Sequence, residues 1–234
     1  MALTPQNNEA FLREVDEELR RDQLTGFWKK YGRVLAILIA LGLAVFAGYL
    51  WWQHEQRQKA GVESEKLSDA LDKLTRNQPD AAKPILEGLT KSEQPGYRAS
   101  AGLALGDMAM QKEDLKGSAA AFKKVADDAT LGKPHRDLAL IRQTAAEYDS
   151  LPPATIIARL KPLAVPGNPW FGSAGEMVAV AHLRQNQPAE AGKLFAAIGG
   201  DQGVPESIRS RAVQMASILG VDATAPKTNG SAAK

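Results

Sequence analysis

The hydrophobic pattern falls into three regimes. Residues 8–23 (NEAFLREVDEELRRDQ) are mostly charged, with Phe11, Leu12, Val15 and Leu19 recurring at helical spacing. Asn8 suits an N-cap, and the acids from Glu14 to Glu18 support Arg21. Thr25 and Gly26 read as a break before a cluster of aromatic and basic residues. Residues 34–52 (VLAILIALGLAVFAGYLWW) then carry no charge and no Asn, Gln, Ser, Thr or Pro. At 1.5 Å per residue this run spans about 28 Å, close to the ~30 Å hydrocarbon core of a bilayer. A core helix of a water-soluble protein would show a polar face, and this run has none.

Beyond residue 60 the pattern changes to amphipathic helices separated by short breaks, without sustained alternation of period two. It predicts helices near 61–76, 79–90, 96–111, 114–128, 135–149, 153–164, 170–185, 187–198 and 204–219. The breaks hold Asn77–Pro79, Pro95–Gly96, Gly132–Pro134, Pro152–Pro153, Pro166–Pro169 and Gly199–Gly200, with proline near helix starts and glycine near helix ends. The helices fall into pairs. Aligning second helices on their large apolar residue gives Leu86, Phe122, Leu160 and Phe195, separated by 36, 38 and 35 residues. Gly106, Ser118 and Phe122 have the glycine, small residue and aromatic spacing of a tetratricopeptide repeat, and Ala179, Ala191 and Phe195 repeat it. The repeat's usual Trp and Tyr positions hold Gly102 and Ala109, so an irregular bundle is the alternative. The expected fold is all-α: one N-terminal transmembrane helix, then a tetratricopeptide-like solenoid of about four helical hairpins and a capping helix. The expected segments are a cytoplasmic amphipathic stretch (1–33), the transmembrane helix (34–52), a linker or helix extension (53–60), the repeat domain (61–220) and a disordered tail (221–234).

The flanks of the apolar run carry interface residues: Trp28, Lys29, Lys30, Tyr31 and Arg33 before it, Tyr49, Trp51 and Trp52 at its end. A cleaved signal peptide is the alternative, with Val45–Phe46–Ala47 as its site. Against it stand more than thirty preceding residues containing six acids, and an apolar run that continues past Ala47. Arg20, Arg21, Lys29, Lys30 and Arg33 outnumber Arg57, Lys59 and Lys66, which predicts a cytoplasmic N-terminus and a repeat domain across the membrane. Ala36, Ala40, Ala44 and Gly48 recur every fourth residue, a stripe over which another helix could pack closely; the alternative is that small residues simply fell into register.

Composition narrows the function. The chain has no cysteine, which excludes disulfides, thiolate nucleophiles and cysteine-held metals. From Ala60 onward 21 Lys and Arg face 20 Asp and Glu, a balance with no stripe for tracking phosphates, so nucleic-acid binding is not expected. His54, His135 and His182 are isolated, and no phosphate-cradling glycine loop or nucleophile elbow occurs. The acid pairs Glu113–Asp114 and Asp127–Asp128 read as turn and helix-end charges. No catalytic residue, cofactor or metal is expected. Function then rests on surfaces. First helices usually line the concave face of such arrays, which would place Ser100, Leu103, Asp107 and Met110, and Ser173, Glu176, Val180 and Leu183, along a partner-binding groove. The alternative is that their apolar members belong to the core.

The REVDEELRRDQ and FWKKYG stretches, one anchor, the Trp-rich exit and degenerate repeats together resemble the YfgM-like family of ancillary SecYEG translocon subunits. The resemblance implies an inner-membrane protein with a periplasmic repeat domain that associates with the translocon and with periplasmic chaperones, and that hands over or protects exported clients. It carries no catalytic motif. A self-assembling envelope scaffold, a homo-oligomer built through the repeats and the small-residue stripe, is the competing reading.

Overall fold

The computed structural model describes the backbone of residues 6–222 and the side chains of residues 30–222 apart from Gln56, Lys59 and Ala60. Those residues form nine helices and no strand. The chain divides between Gly61 and Val62.

Helix α1 (Gln6–Thr75) is continuous over 70 residues. The expected break at Thr25–Gly26 is absent, and so is a fresh helix start near residue 61. The reason is energetic. A lone glycine in a helix interior costs about 0.5–1 kcal/mol, and neither Gly26 nor Gly61 has a proline within its flanking turns. Phe11, Leu12, Val15, Leu19, Trp28 and Lys29 lie where side chains are outside the described residues.

In the second unit the end of α1 pairs with α2 (Pro79–Leu89), α3 (Pro95–Gln111) with α4 (Leu115–Asp127), and α7 (Phe171–Arg184) with α8 (Pro188–Gly199). Helices α5 (Lys133–Ala146) and α6 (Pro153–Leu160) follow the same order in the chain but scarcely touch. Helix α9 (Glu206–Ile218) closes the described array against α7 and α8. Proline in the first turn of α2, α3, α5, α6 and α8 starts each helix at no hydrogen-bond cost. Helix α4 instead starts on Asp114, whose carboxylate accepts from Gly117 N at 2.8 Å.

Four buried apolar clusters run along the array. The first joins α1, α2 and α3 through Ala70, Ala82, Leu86 and Ala101, and the second joins α3, α4 and α5 through Ala99, Val125, Leu131 and Ala139. The third joins α5, α6 and α7 through Ile141, Ile156, Leu160 and Val178, and the fourth joins α7, α8 and α9 through Phe171, Phe195, Ile198 and Ala212. Each cluster contacts only neighbouring helices, the quasi-linear organisation of a solenoid. Val221, the first residue of the expected tail, packs against Gly192 and the last cluster; residues 223–234 are outside the described residues.

Candidate interaction surface

The backbone repeats more strictly than the side chains. Asn77, Glu113 and Asn186 all have left-handed φ, at 57°, 59° and 57°. Each sits in the middle of a three-residue turn that ends a first helix. In all three the left-handed residue's N–H donates three residues back and the next N–H donates five back: Asn77 N to Leu74 O and Gln78 N to Lys73 O, Glu113 N to Met110 O and Asp114 N to Ala109 O, Asn186 N to Leu183 O and Gln187 N to His182 O. This is the Schellman arrangement, which satisfies the last carbonyls of the helix. It returns at the end of α9, where Gly220 (φ 76°) donates to Ser217 O and Val221 N to Ala216 O.

These turns fix how two helices meet. Seven residues before the left-handed residue stands a small side chain, Ala70, Gly106 or Ala179, and sixteen residues after that a large one, Leu86, Phe122 or Phe195. A Cβ on Gly106 would stand inside contact distance of the Phe122 ring, so only glycine permits this approach. Ser118 is buried and donates to Gly106 O at 2.9 Å. Ala179, Ala191 and Phe195 are buried together in the last cluster. Thus the structure brings Gly106, Ser118 and Phe122 together, and likewise Ala179, Ala191 and Phe195.

The groove residues are placed less uniformly. Ser100, Leu103, Asp107, Met110, Ser173, Glu176, Val180 and Leu183 are all half-buried. Leu103 packs on the second cluster, and Val180 and Leu183 on the fourth. Asp107 pairs with Arg142 of α5, and Glu176 with Arg211 of α9, both across 35 residues. Both acids of the expected groove are therefore taken by an arginine of the next first helix. None of the eight residues lines the two depressions described on the second-helix side. One, about 500 Å³, lies between α4 (Leu115, Ala119, Lys123) and the α5–α6 connection (Glu147, Asp149). The other, about 380 Å³, lies between α2 (Glu87, Thr90) and α4 (Lys124, Asp128) over Arg98 and Leu105.

Cation type is segregated beyond α1, whose end carries Lys66 and Lys73. Helices α3, α5, α7 and α9 carry six arginines and one lysine, Lys133 at the start of α5; helices α2, α4, α6 and α8 carry five lysines and one arginine, Arg159. Arginine's planar fork suits the fixed acceptors between repeats, whereas lysine suits solvent. Arg184 donates to Tyr148 O at 2.7 Å and stacks on the Tyr148 ring at 5.3 Å, while Tyr148 Oη donates to Met177 O at 2.9 Å. Burial pushes the Tyr148 phenol up, with Arg184 opposing it. Thr130, through its hydroxyl and its N–H, and then Arg98 hold the Asp128 carboxyl below its usual range. Glu176 raises Arg211 by accepting its hydrogen bonds, and the Lys193 ammonium lowers Glu190.

The remaining polar candidates stay apart. His54 and His135 are exposed, and His182 Nδ1 lies 2.7 Å from Gln187 Oε1. Among the described residues no three His, Asp or Glu side chains converge as metal ligands would. Asp127 pairs with Lys123, and Asp114 serves as the α4 cap.

Within the first unit, the segment Lys30–Glu55 is apolar enough to cross a membrane, and its 26 residues span about 39 Å as helix. Every residue from 33 to 52 is exposed, including Ala36, Ala40, Ala44 and Gly48. Lys30, Tyr31 and Arg33 at one end and Tyr49, Trp51 and Trp52 at the other are exposed as well. Lys30 sits 5.4 Å from the Tyr31 ring centre.

The description of one family, the tetratricopeptide repeat-like domain, matches residues 25–153, more than half of the chain. The chain belongs to this family. The matched segment includes the apolar run as well as helices α2 to α5. Neither the curated proteins nor the solved structures offer a match. Helical-hairpin repeats of this family are interaction modules, so protein partners are the class of ligand the fold serves.

Proposed function

We propose that this chain is a membrane-anchored protein–protein interaction module, an ancillary subunit of a Sec-type translocon in the bacterial inner membrane, and not an enzyme. Its N-terminus lies in the cytoplasm and its repeat domain in the periplasm, where it meets chaperones or exported clients. The observation that carries this reading is the unbroken exposure of residues 33–52 in a chain with tetratricopeptide-like repeats. Monomeric soluble proteins rarely expose a contiguous apolar patch above a few hundred Å², so a run of this length calls for lipid. The aromatic and basic residues at its ends suit the two interfaces, and the excess of basic residues before it supports the orientation. The translocon assignment rests on the resemblance of residues 14–33 and 49–52.

Partner recognition is assigned to the first-helix face through Ser100, Met110 and Ser173, since Asp107 and Glu176 are engaged between repeats. The stripe Ala36, Ala40, Ala44 and Gly48 is assigned to helix contact within the membrane. Photo-crosslinkers placed from 36 to 48 and read by mass spectrometry test the assignment: translocon subunits are expected, and self-crosslinks alone would replace the adaptor with the scaffold. A periplasm-active reporter fused after residue 220 tests orientation, and activity confined to the cytoplasm would overturn it.

A further inference from the structure

The third helix pair departs from the others in its connection, in the residue at its small position and in the polar contacts between its helices. Its connection, residues 147–152, is six residues long where the others have three, and none of its residues is left-handed. Counted from the helix ends, Ile141 takes the place of Ala70, Gly106 and Ala179, and Leu160 that of Leu86, Phe122 and Phe195. Beside them three polar side chains bind one another: Gln143 Nε2 donates to Glu147 Oε2 at 3.3 Å, and Arg159 Nη1 donates to the same carboxylate oxygen.

Ile141, bulky where Gly106 lets α4 approach α3, leaves α6 scarcely touching α5. Leu160 is fully buried in the cluster shared with α7, so α6 is committed to the helices that follow it. On α5, Ala139 belongs to the cluster before and Ile141 to the cluster after, which makes α5 the seam between two packed blocks. The 500 Å³ depression between α4 and residues 146–150 has no residue of α6 in its lining. Few contacts between α5 and α6 and a polar network across them mark a segment that opens at low free energy.

We infer that the third pair is a hinge: α6 moves with α7, α8 and α9, and with residues 148–151 that Arg184 and Tyr148 tie to α7, about the end of α5, and the Gln143–Glu147–Arg159 network holds the closed state. The inference does not depend on the translocon reading. Hydrogen exchange read by mass spectrometry on the full chain in nanodiscs tests it. Amides of 140–160 should exchange at least about tenfold faster than those of 102–122 and 175–195. Equal protection in all three pairs would overturn the hinge. The triple variant Gln143→Ala, Glu147→Leu, Arg159→Phe replaces the polar network with apolar side chains. It should slow exchange in 140–160 by about tenfold and leave 102–122 unchanged. A folded variant without that slowing also overturns the proposal. If the variant does not fold, the comparison within the native protein decides.

Discussion

Arg211 reaches from α9 to Glu176 of α7 with two parallel hydrogen bonds, Nε to Oε1 and Nη2 to Oε2, and Arg142 reaches Asp107 across the same 35 residues. Both pairs are partly open to solvent, so each contributes modestly. Arg211→Ala should lower stability in urea unfolding by about 0.5–1 kcal/mol, an effect that shrinks in high salt. Arg211→Lys should recover less than half of it, because an ammonium cannot make the forked contact.

Glu113 occupies a left-handed turn position at which the equivalent turns carry Asn77 and Asn186. A side chain with a Cβ and no local acceptor is disfavoured there by about 1–2 kcal/mol, and asparagine less so. Glu113→Asn should raise the urea midpoint, by about 0.5–1 kcal/mol in stability, and Glu113→Gly should do the same. Asn186→Val should lower it by more than either gains.

The approach of α3 to α4 depends on the missing Cβ of Gly106. Gly106→Ala forces the Phe122 ring aside and should cost about 1–3 kcal/mol. Phe122→Ala removes a fully buried ring and should cost about 3–5 kcal/mol. Gly96→Ala, at a position with open space around it, serves as the control and should leave the unfolding midpoint nearly unchanged.

Asp128 has a folded-state pKa below its unfolded value because Thr130 and Arg98 stabilise the carboxylate. Its contribution is therefore complete above an unfolded pKa near about 3.9 and disappears as pH falls through the lower folded value. The stability difference between the native protein and Asp128→Asn should be flat from pH 5 to 7 and should close below about pH 4. A difference that grows on acidification would contradict this assignment. Circular dichroism melts across that range make the measurement.

Much of this fold is written in the apolar spacing. The amphipathic periods and the proline and glycine breaks place α2 to α9 within a few residues of their observed ends. The small-to-aromatic spacing of Gly106 and Phe122 announces their contact. What the pattern hides is of two kinds. A helix start near residue 61 was expected from a change of composition, yet composition alone does not break a helix that lacks proline. Leu160, like Leu86, Phe122 and Phe195, is the eighth residue of its helix and is buried, as the spacing of large apolar residues predicts. The second kind is the pairing of Asp107 and Glu176, which leaves no local signal because each partner lies thirty-five residues away.

The segregation of lysine from arginine has a practical side. Amine-reactive reagents will decorate α2, α4 and α8 through Lys83, Lys116, Lys123, Lys124 and Lys193, and will meet only Lys133 on α3, α5, α7 and α9. A partner bound along α3, α5, α7 and α9 would then escape a lysine-directed crosslinker almost entirely, whereas one bound on the end of α1 would meet Lys66 and Lys73. The same chemistry would tether the domain to a bead or sensor chip by its second-helix side, leaving the opposite side open to whatever is flowed across it.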